Sequence, residues 1–418
     1  MKRIKYLIFG LRNLLIEAEA DSLTGRSDFD SPLADEFGRL VAYARSQQIE
    51  PVVFANHAWI VRGGEAVEQI LNKKWGKMLW LTANGIEIPR KPQAAAMQAV
   101  LKRLGCEPNE VLYIGNTDDD MRTAVNGEVL FLNATWLKDS TGYGFKFDSP
   151  KEVAKFIDIF CVRTNGWAFE IDDGPLRYRS LAPFSTKYVE YESYSADARN
   201  TKDGWGRPDF WGPYLCATLY LTGLYQEIDY MCPFPRHEAH KWNEPLRESL
   251  IRFARCFRIR YIPDLVVRHT TTLSSRKNPD VLGHVDHLNS LLINEHPTKN
   301  VETEDTYARS PLRRGKTVMV VDDFCTRGRS IEAARIYLEH TGAKTVLVSW
   351  LKTINRDYSQ ITSTNGFKFN PYTPNDWKPA TITKATHPYD TAITDEDAYK
   401  ELGKKLKSFR EWTWPSGV

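Results

Sequence analysis

The sequence predicts an α/β protein of two doubly wound, Rossmann-like domains with a C-terminal extension. Over about the first 150 residues, short apolar runs alternate with helical patterns, as a layer of parallel strands covered by helices requires. The alternation resumes beyond an aromatic, turn-rich stretch that starts near Cys161. At 418 residues the chain is too long for one ordinary domain and long enough for two cores.

The first domain, 1–160, has expected strands at KYLIFGL, EPVVFAN, KMLWLT, EVLYIGN and VLFLN. Its clearest helices are LADEFGRLVAYARSQQ and PQAAAMQAVLKRLG, the second with Pro92 in its first turn and Gly105 at its stop. A weaker helix, SPKEVAKFIDIF, closes the segment. The second domain, 161–355, opens on the strand pair WAFEIDDGPLRYRSLAPF, followed by a polar, Tyr- and Gly-rich stretch up to Trp211. Strands DYMCPF, RYIPDLVV, TVMVVDD and AKTVLVSWL follow, with helices at NEPLRESLIRFARCF, around VLGHVDHLNSLLIN, and at SIEAARIYLEHTG. The extension, 356–418, is too aromatic for a disordered linker and ends in a charged helix, DEDAYKELGKKLKSFREW.

Composition narrows the function classes. A hydrophobic share of 42% and a charged share of 26% are those of a soluble globular protein. A net charge of +3 gives no electrostatic case for nucleic acid or a membrane surface. The opening MKRIKYLIFGLRNLLIEAEA has basic residues before an apolar run, but Arg12 interrupts it and acidic residues follow, so a first strand is expected rather than a leader. No stretch approaches the ~18 uncharged apolar residues of a membrane span. The six cysteines form no CxxC pair, which favours a reducing cytoplasm over a disulfide framework or zinc ribbon.

The most informative stretch is VMVVDDFCTRGRSIEAAR, Val318 to Arg335. A continuous apolar run suits a strand covered on both faces, and α/β sheets present functional groups at the carboxyl ends of such strands. Asp322 and Asp323 are therefore expected to project into a crevice. The turn that follows offers Thr326, Gly328, Ser330 and consecutive backbone amides before a helix, an anion nest suited to a phosphate monoester. Carboxylates beside such a nest suit sugar hydroxyls.

This pattern, hhhhDDxxTxGxS, resembles the phosphoribosyl-pyrophosphate (PRPP) motif of type I phosphoribosyltransferases, and within them the ComF type, over roughly Phe184 to Leu351. STKY (185–188), MCPFPRH (231–237) and RHTTTLSSRKN (268–278) are similar to the family's Lys-Tyr element, pyrophosphate loop and mobile segment. The long insert around YSADARNTKDGWGRPDFW departs from the pattern.

The resemblance implies that Asp322 and Asp323 hold the ribose hydroxyls and, through PRPP, Mg²⁺. It implies that the turn from Cys325 through Thr326, Arg327, Gly328, Arg329 and Ser330 surrounds the 5-phosphate, with Cys325 itself a packing residue. Arg327 stands where the motif usually has a small residue, and it either tightens the phosphate grip or crowds the loop. Arg236, His237 and Lys241 would face the pyrophosphate; Arg268, Ser274, Ser275 and Arg276 would lie on the mobile segment. The implied activity is Mg²⁺-dependent phosphoribosyl transfer to an unknown base or nucleotide-like acceptor. The rivals are a PRPP or nucleotide sensor that binds without turnover and signals to a partner through the inactive first domain, and a toxic effector in bacterial conflict; a protein partner or a homo-oligomer is expected. The acceptor hood would come from Cys161 to Trp211 or from the tail after Thr353.

In the first domain, the segment from Glu87 to Gly127 resembles the second half of a haloacid dehalogenase (HAD)-like hydrolase, with Lys91 at the lysine motif and GNTDDD, Gly115 to Asp120, at the acidic motif. The family's DxD positions are occupied by Gly10 and Arg12, its second-motif hydroxyl by Ala55, and the first metal-motif acid by Asn116. Glycine cannot be a nucleophile, so the resemblance implies a fold without phosphatase activity. The Arg12 guanidinium in the former nucleophile pocket would favour an anion over Mg²⁺. Two HxxH pairs, His237/His240 and His284/His287, lack a visible third zinc ligand. The tryptophans of GWGRPDFWGPYL and REWTWPSGV are expected in packing before base stacking.

Overall fold

A computed structural model describes residues 1–17, 28–61, 64–138, 141–239, 245–272 and 282–417. In the N-terminal part, strands β1 (Tyr6–Phe9), β2 (Glu50–Ala55), β3 (Leu79–Thr82), β4 (Val111–Gly115), β5 (Leu130–Ala134) and β6 (Phe145–Phe147) alternate with helices. These helices are α1 (Pro32–Ser46), α2 (Val67–Trp75), α3 (Ala95–Leu104), α4 (Asp118–Asn126) and α5 (Pro150–Phe156). The strands form one parallel sheet in the order β3-β2-β1-β4-β5-β6. Its central strands are apolar throughout because helices cover both faces.

Helix α1 starts where Ser31 Oγ accepts from Ala34 N and Pro32 takes the first turn. The expected start of α3 at Pro92 is corrected: the helix begins at Ala95. Asn56 accounts for the delay, because its side chain accepts from Lys91 N at 2.7 Å and donates to Lys91 O at 3.0 Å, holding that backbone as a loop. Gly105 ends α3 in the left-handed region, with φ 62°.

The second sheet is built from β7 (Phe169–Asp173), β8 (Leu176–Phe184), β9 (Tyr230–Pro233), β10 (Arg260–Tyr261), β13 (Thr317–Cys325) and β14 (Lys344–Thr353), in the order β10-β9-β13-β14-β8-β7. All its pairings are parallel except the β7–β8 hairpin. Between β10 and β13 lies a small antiparallel pair, β11 (Val266–Arg268) and β12 (Leu291–Ile293); beyond β14 lies a hairpin, β15 (Tyr358–Ser363) and β16 (Thr383–His387). The helices are α6 (Val189–Lys202), α7 (Pro208–Leu221), α8 (Arg247–Cys256), α9 (His284–Leu288), α10 (Arg329–His340) and α11 (Ala398–Arg410).

Three sequence expectations change here. RYIPDLVV is two short strands in different sheets, and the segment around VLGHVDHLNSLLIN is a short helix followed by a strand. The polar stretch up to Trp211 is largely helical, and every residue of α7 from Phe210 to Leu221 is buried.

Helices α7 and α8 sit between the two sheets and tie them into one core. The Tyr220 hydroxyl on α7 donates to Val111 O of β4 at 2.6 Å, and Lys2 N donates to Leu221 O at 2.7 Å. Phe409 of α11 closes the same junction against Phe160 and Phe210. Among the described residues no helix is long and apolar enough to cross a membrane.

Candidate functional sites

At the carboxyl edge of the second sheet, a cavity of about 200 Å³ is lined by Asp322 and Asp323 from β13, Ser330 from the first turn of α10, Arg236 and His237 after β9, and Arg268 from β11. β13 delivers the two acids because Thr317 to Val321 are pinned in the core between β9 and β14. Asp322 Oδ1 accepts from Asp323 N at 2.8 Å, and Asp323 Oδ1 accepts from Phe324 N at 2.7 Å. Burial, and then the charge of Asp323, push the Asp322 carboxyl up to about 7.

Lys202, at the last residue of α6, was not picked out from the sequence. Its ammonium lies 2.7 Å from Asp323 Oδ2. Burial alone would lower its pKa, but the Asp323 and Asp322 charges outweigh this and raise it above the ordinary lysine value.

The turn beyond β13 is held from below. Gly328 is left-handed, with φ 75°, and caps α10. A Cβ there would lie 2.3 Å from the Tyr358 ring, so only glycine lets that ring cover the turn. Lys352 Nζ donates to Thr326 O at 2.6 Å, and the Thr326 and Thr353 hydroxyls are 3.2 Å apart. Burial lowers the Lys352 pKa to about 8. Ser359 N donates to Arg327 O at 2.9 Å.

Of the predicted turn residues, Ser330 alone lines this cavity. Cys325 is buried in the core under the turn, beside Tyr178. The Arg329 guanidinium donates to Leu282 O at 2.7 Å.

Arg268, expected on a mobile segment, is instead the last residue of β11 and 2% exposed. Its Nε donates to Arg236 O at 2.9 Å and its Nη1 bonds Ser290 Oγ. This fixes the guanidinium at the cavity wall, where burial lowers its pKa to about 10. Arg236 Nη2 donates to Lys202 O at 3.1 Å. His287 Nδ1 and Thr272 Oγ1, in two residues that line the cavity, are buried without a hydrogen-bond partner among the described residues. Burial, and then the Arg268 charge, hold His287 down at about 3, so it is neutral. His284 of the same HxxH pair is tied to Ser359 O at 2.8 Å. Lys241, Ser274, Ser275 and Arg276, with His240, lie outside the described residues. Trp211 stacks on Trp350, and its indole donates to Asp197 at 2.9 Å, so it is a packing residue.

The first sheet has its own cavity, of about 350 Å³, above the ends of β1, β2 and β4, lined by Arg12, Ala55, Lys91 and Asp120 together with His57, Trp59 and Arg90. Sequence reasoning missed the last three. Lys91 Nζ is 2.6 Å from Asp120 Oδ1 and also donates to Phe54 O at 3.0 Å. Asp120 further accepts from the Tyr113 and Thr117 hydroxyls, each at 2.7 Å. Burial would raise the Asp120 carboxyl, but Lys91 and these hydroxyls hold it below the ordinary aspartate value.

Gly10 ends β1 against Asp120, and a Cβ there would lie 2.9 Å from Asp120 Oδ1. Asn116 does not join the cavity wall: its buried amide donates to Ala134 O at 2.6 Å and to Lys138 O. Among the described residues no group of three or more His, Cys, Asp or Glu side chains is arranged to hold a metal ion. The first cavity does not fit Mg²⁺, because its one deep carboxylate is already engaged by an ammonium and two hydroxyls.

No family model matches this chain, and no curated protein does. The similar solved structures are HAD-superfamily hydrolases and align with the N-terminal ~35% of the chain. A phosphoglycolate phosphatase candidate from Lactobacillus delbrueckii is 20% identical, over 29% of this chain and 52% of that one, with a TM-score of 0.25. This chain thus spans about half the length of that protein. A HAD-superfamily hydrolase from Ehrlichia chaffeensis is 16% identical over 38% of this chain and 98% of its own, with a TM-score of 0.28. One from Geobacter sulfurreducens is 12% identical over 38% and 100%, with a TM-score of 0.25.

Proposed function

We propose that the cavity on the second sheet binds PRPP and transfers its 5-phosphoribosyl group to a base or nucleotide-like acceptor, releasing pyrophosphate. The observation that carries this reading is the convergence on one space of a carboxylate pair, Ser330 just beyond the turn that follows β13, and the cationic wall of Arg236 and Arg268. These groups come from separate strands, which is how open α/β sheets build ligand sites. The unpartnered His287 Nδ1 and Thr272 Oγ1 add support, because buried polar atoms without partners are costly unless a ligand satisfies them.

The division of labour follows from the chemistry. Asp322 and Asp323 accept from the ribose hydroxyls and stabilise the cation-like anomeric centre. The amides of the Thr326–Ser330 turn receive the 5-phosphate. Arg268, held rigid by Arg236 O and Ser290, meets the negative charge that grows on the departing pyrophosphate. Two carboxylates are too few to retain a divalent ion by themselves but suit one carried by PRPP oxygens. Mg²⁺ brought in with PRPP would take up charge on the leaving group.

The test is calorimetric titration of PRPP with Mg²⁺ into the intact protein and the Asp322→Asn/Asp323→Asn variant, with pyrophosphate release followed on a mixture of bases and nucleosides. Binding lost in the variant together with acceptor-dependent release is expected. Absence of binding to the intact protein would sink the reading. Binding without release would favour a sensor, to which one observation also points: Lys202 already sits on Asp323, so a ligand must displace an internal cation and thereby pull on α6.

A further inference from the structure

We propose, resting on the reading of the second cavity as a PRPP site, that Lys202 is a ligand-contacting residue whose ammonium leaves Asp323 when a polyanion enters and pairs with that anion. One side chain thus serves Asp323 before the ligand binds and the ligand afterwards.

The position of the ammonium is the first support. Lys202 Nζ lies 2.9 Å from Asp323 Oδ1 and 2.7 Å from Oδ2, and Oδ1 also accepts from Phe324 N at 2.7 Å. A ligand that needs Asp323 as an acceptor for its hydroxyls therefore meets the ammonium first. Lys202 lines the same space as Arg236 and Arg268. Moving a third positive charge towards those two is costly unless negative charge replaces the carboxylate it leaves. A pyrophosphoryl group brings that charge into the cavity with the ligand.

The second support is which part of the wall can move. Arg268 is fixed by Arg236 O and Ser290. The end of α6 is fixed as well: Lys202 O accepts from Arg236 Nη2 at 3.1 Å, and the buried Thr201 hydroxyl donates to Asp197 O at 2.9 Å and accepts from Arg207 N at 2.7 Å. Gly206 closes on this turn so tightly that a Cβ there would lie 2.2 Å from Thr201 Oγ1. A change of partner is left to the Lys202 side chain, which is about one-third exposed. Its ammonium lies 5.4 Å from the centroid of the Phe324 ring, near enough to be attracted to that face as it leaves Asp323. Lysine suits such a move, because its point charge on a flexible stem accepts oxygens from many directions, where an arginine fork demands one geometry.

A fixed counter-charge for Asp323 predicts the opposite sign. An ammonium that only occupies the carboxylate competes with the ligand, so its removal tightens binding. An ammonium that changes partner interacts with the liganded state more strongly than with the unliganded one, so its removal weakens binding.

The experiment is isothermal titration of PRPP with Mg²⁺, and separately of inorganic pyrophosphate with EDTA, into the full-length parent, Lys202→Met and Lys202→Arg. Lys202→Met should weaken the binding of each ligand by about tenfold, as for loss of one charge-assisted hydrogen bond, and Lys202→Arg should recover part of that loss. Asp323→Asn should lose PRPP yet bind pyrophosphate several-fold more tightly, because it releases the ammonium; the gain should vanish when Lys202→Met is added. That second pair of variants carries the test if Lys202→Met alone does not fold. Unchanged or tighter binding in Lys202→Met, or a gain in Asp323→Asn that persists without Lys202, would overturn the proposal and leave the PRPP reading standing. Pyrophosphate binding weakened by Lys202→Met, with no binding of PRPP by the parent, would uphold the role of Lys202 and sink the transferase reading. Absence of binding by both ligands would overturn both.

Discussion

Lys202 and Asp323 stand 121 residues apart in the sequence, and their charged groups meet at 2.7 Å inside the second cavity. The aspartate is nearly buried and the lysine about one-third exposed, so the pair lies between a surface ion pair and a buried one in strength. Replacing Lys202 by Met should cost about 1–2 kcal/mol at pH 8 by removing the ammonium that lies against Asp323. Urea unfolding of Lys202→Met, Asp323→Asn and the double variant would measure this. Strict additivity of the two single effects would show that the ion pair contributes nothing.

Asp322 predicts a pH dependence of the opposite sign to that of a paired acid. Burial and then Asp323 raise it to about 7, so the folded protein keeps a proton there that the unfolded chain loses near pH 4. Stability therefore falls as pH rises from about 4 to about 7, and the full cost is present above 7. Asp322→Asn removes that cost while keeping an acceptor for Asp323 N. The variant should gain about 1–3 kcal/mol at pH 8 and little at pH 4.5. Thermal unfolding of parent and variant at the two pH values decides it, and an equal gain at both would refute the raised carboxyl.

The sites were legible in the sequence where one element carries its own signal. β13 shows its burial as an unbroken apolar run, and the Asp pair, Thr326, Gly328 and Ser330 follow in register on the same stretch. Gly10 and Arg12 could likewise be read as departures at a strand end. Lys202 could not, because its meaning lies in a partner supplied by a distant strand. Helix α7 was missed for a different reason: it is apolar on every side, so it has no amphipathic period to betray it. Nor does any local pattern tell whether Asn116 faces a ligand or a neighbouring carbonyl, or that Asn56 holds residue 91 and so delays α3.

Gly328 should be intolerant of even one methyl group. Its φ of 75° costs a non-glycine residue about 1 kcal/mol, and the new Cβ would overlap the Tyr358 ring at 2.3 Å. That ring cannot retreat easily, since its hydroxyl bonds the buried Glu332 at 3.0 Å. Gly328→Ala should lose about 2–4 kcal/mol, the steric part resembling core overpacking. In the Tyr358→Leu background the further loss should shrink to about 1 kcal/mol, leaving only the backbone term. A full loss in that background would place the strain elsewhere in the turn.

Gly10→Asp tests whether the first cavity could be returned to phosphatase chemistry by a nucleophile alone. The new Cβ would lie 2.9 Å from Asp120 Oδ1 and 3.1 Å from Oδ2, so the added carboxylate would press on a buried one. Lys91 already balances the charge of Asp120 and would have to serve two acids at once. Repulsion and crowding should destabilise the protein by about 2–4 kcal/mol. Turnover should still be absent with Mg²⁺ present, since Asn116 points its amide at Ala134 O and Asp120 is enclosed by Lys91, Tyr113 and Thr117. Thermal unfolding and hydrolysis of p-nitrophenyl phosphate measure the two effects. Measurable turnover by this single variant would mean that Asp120 leaves its ion pair for a metal, and the metal-free account of the cavity would fail with it.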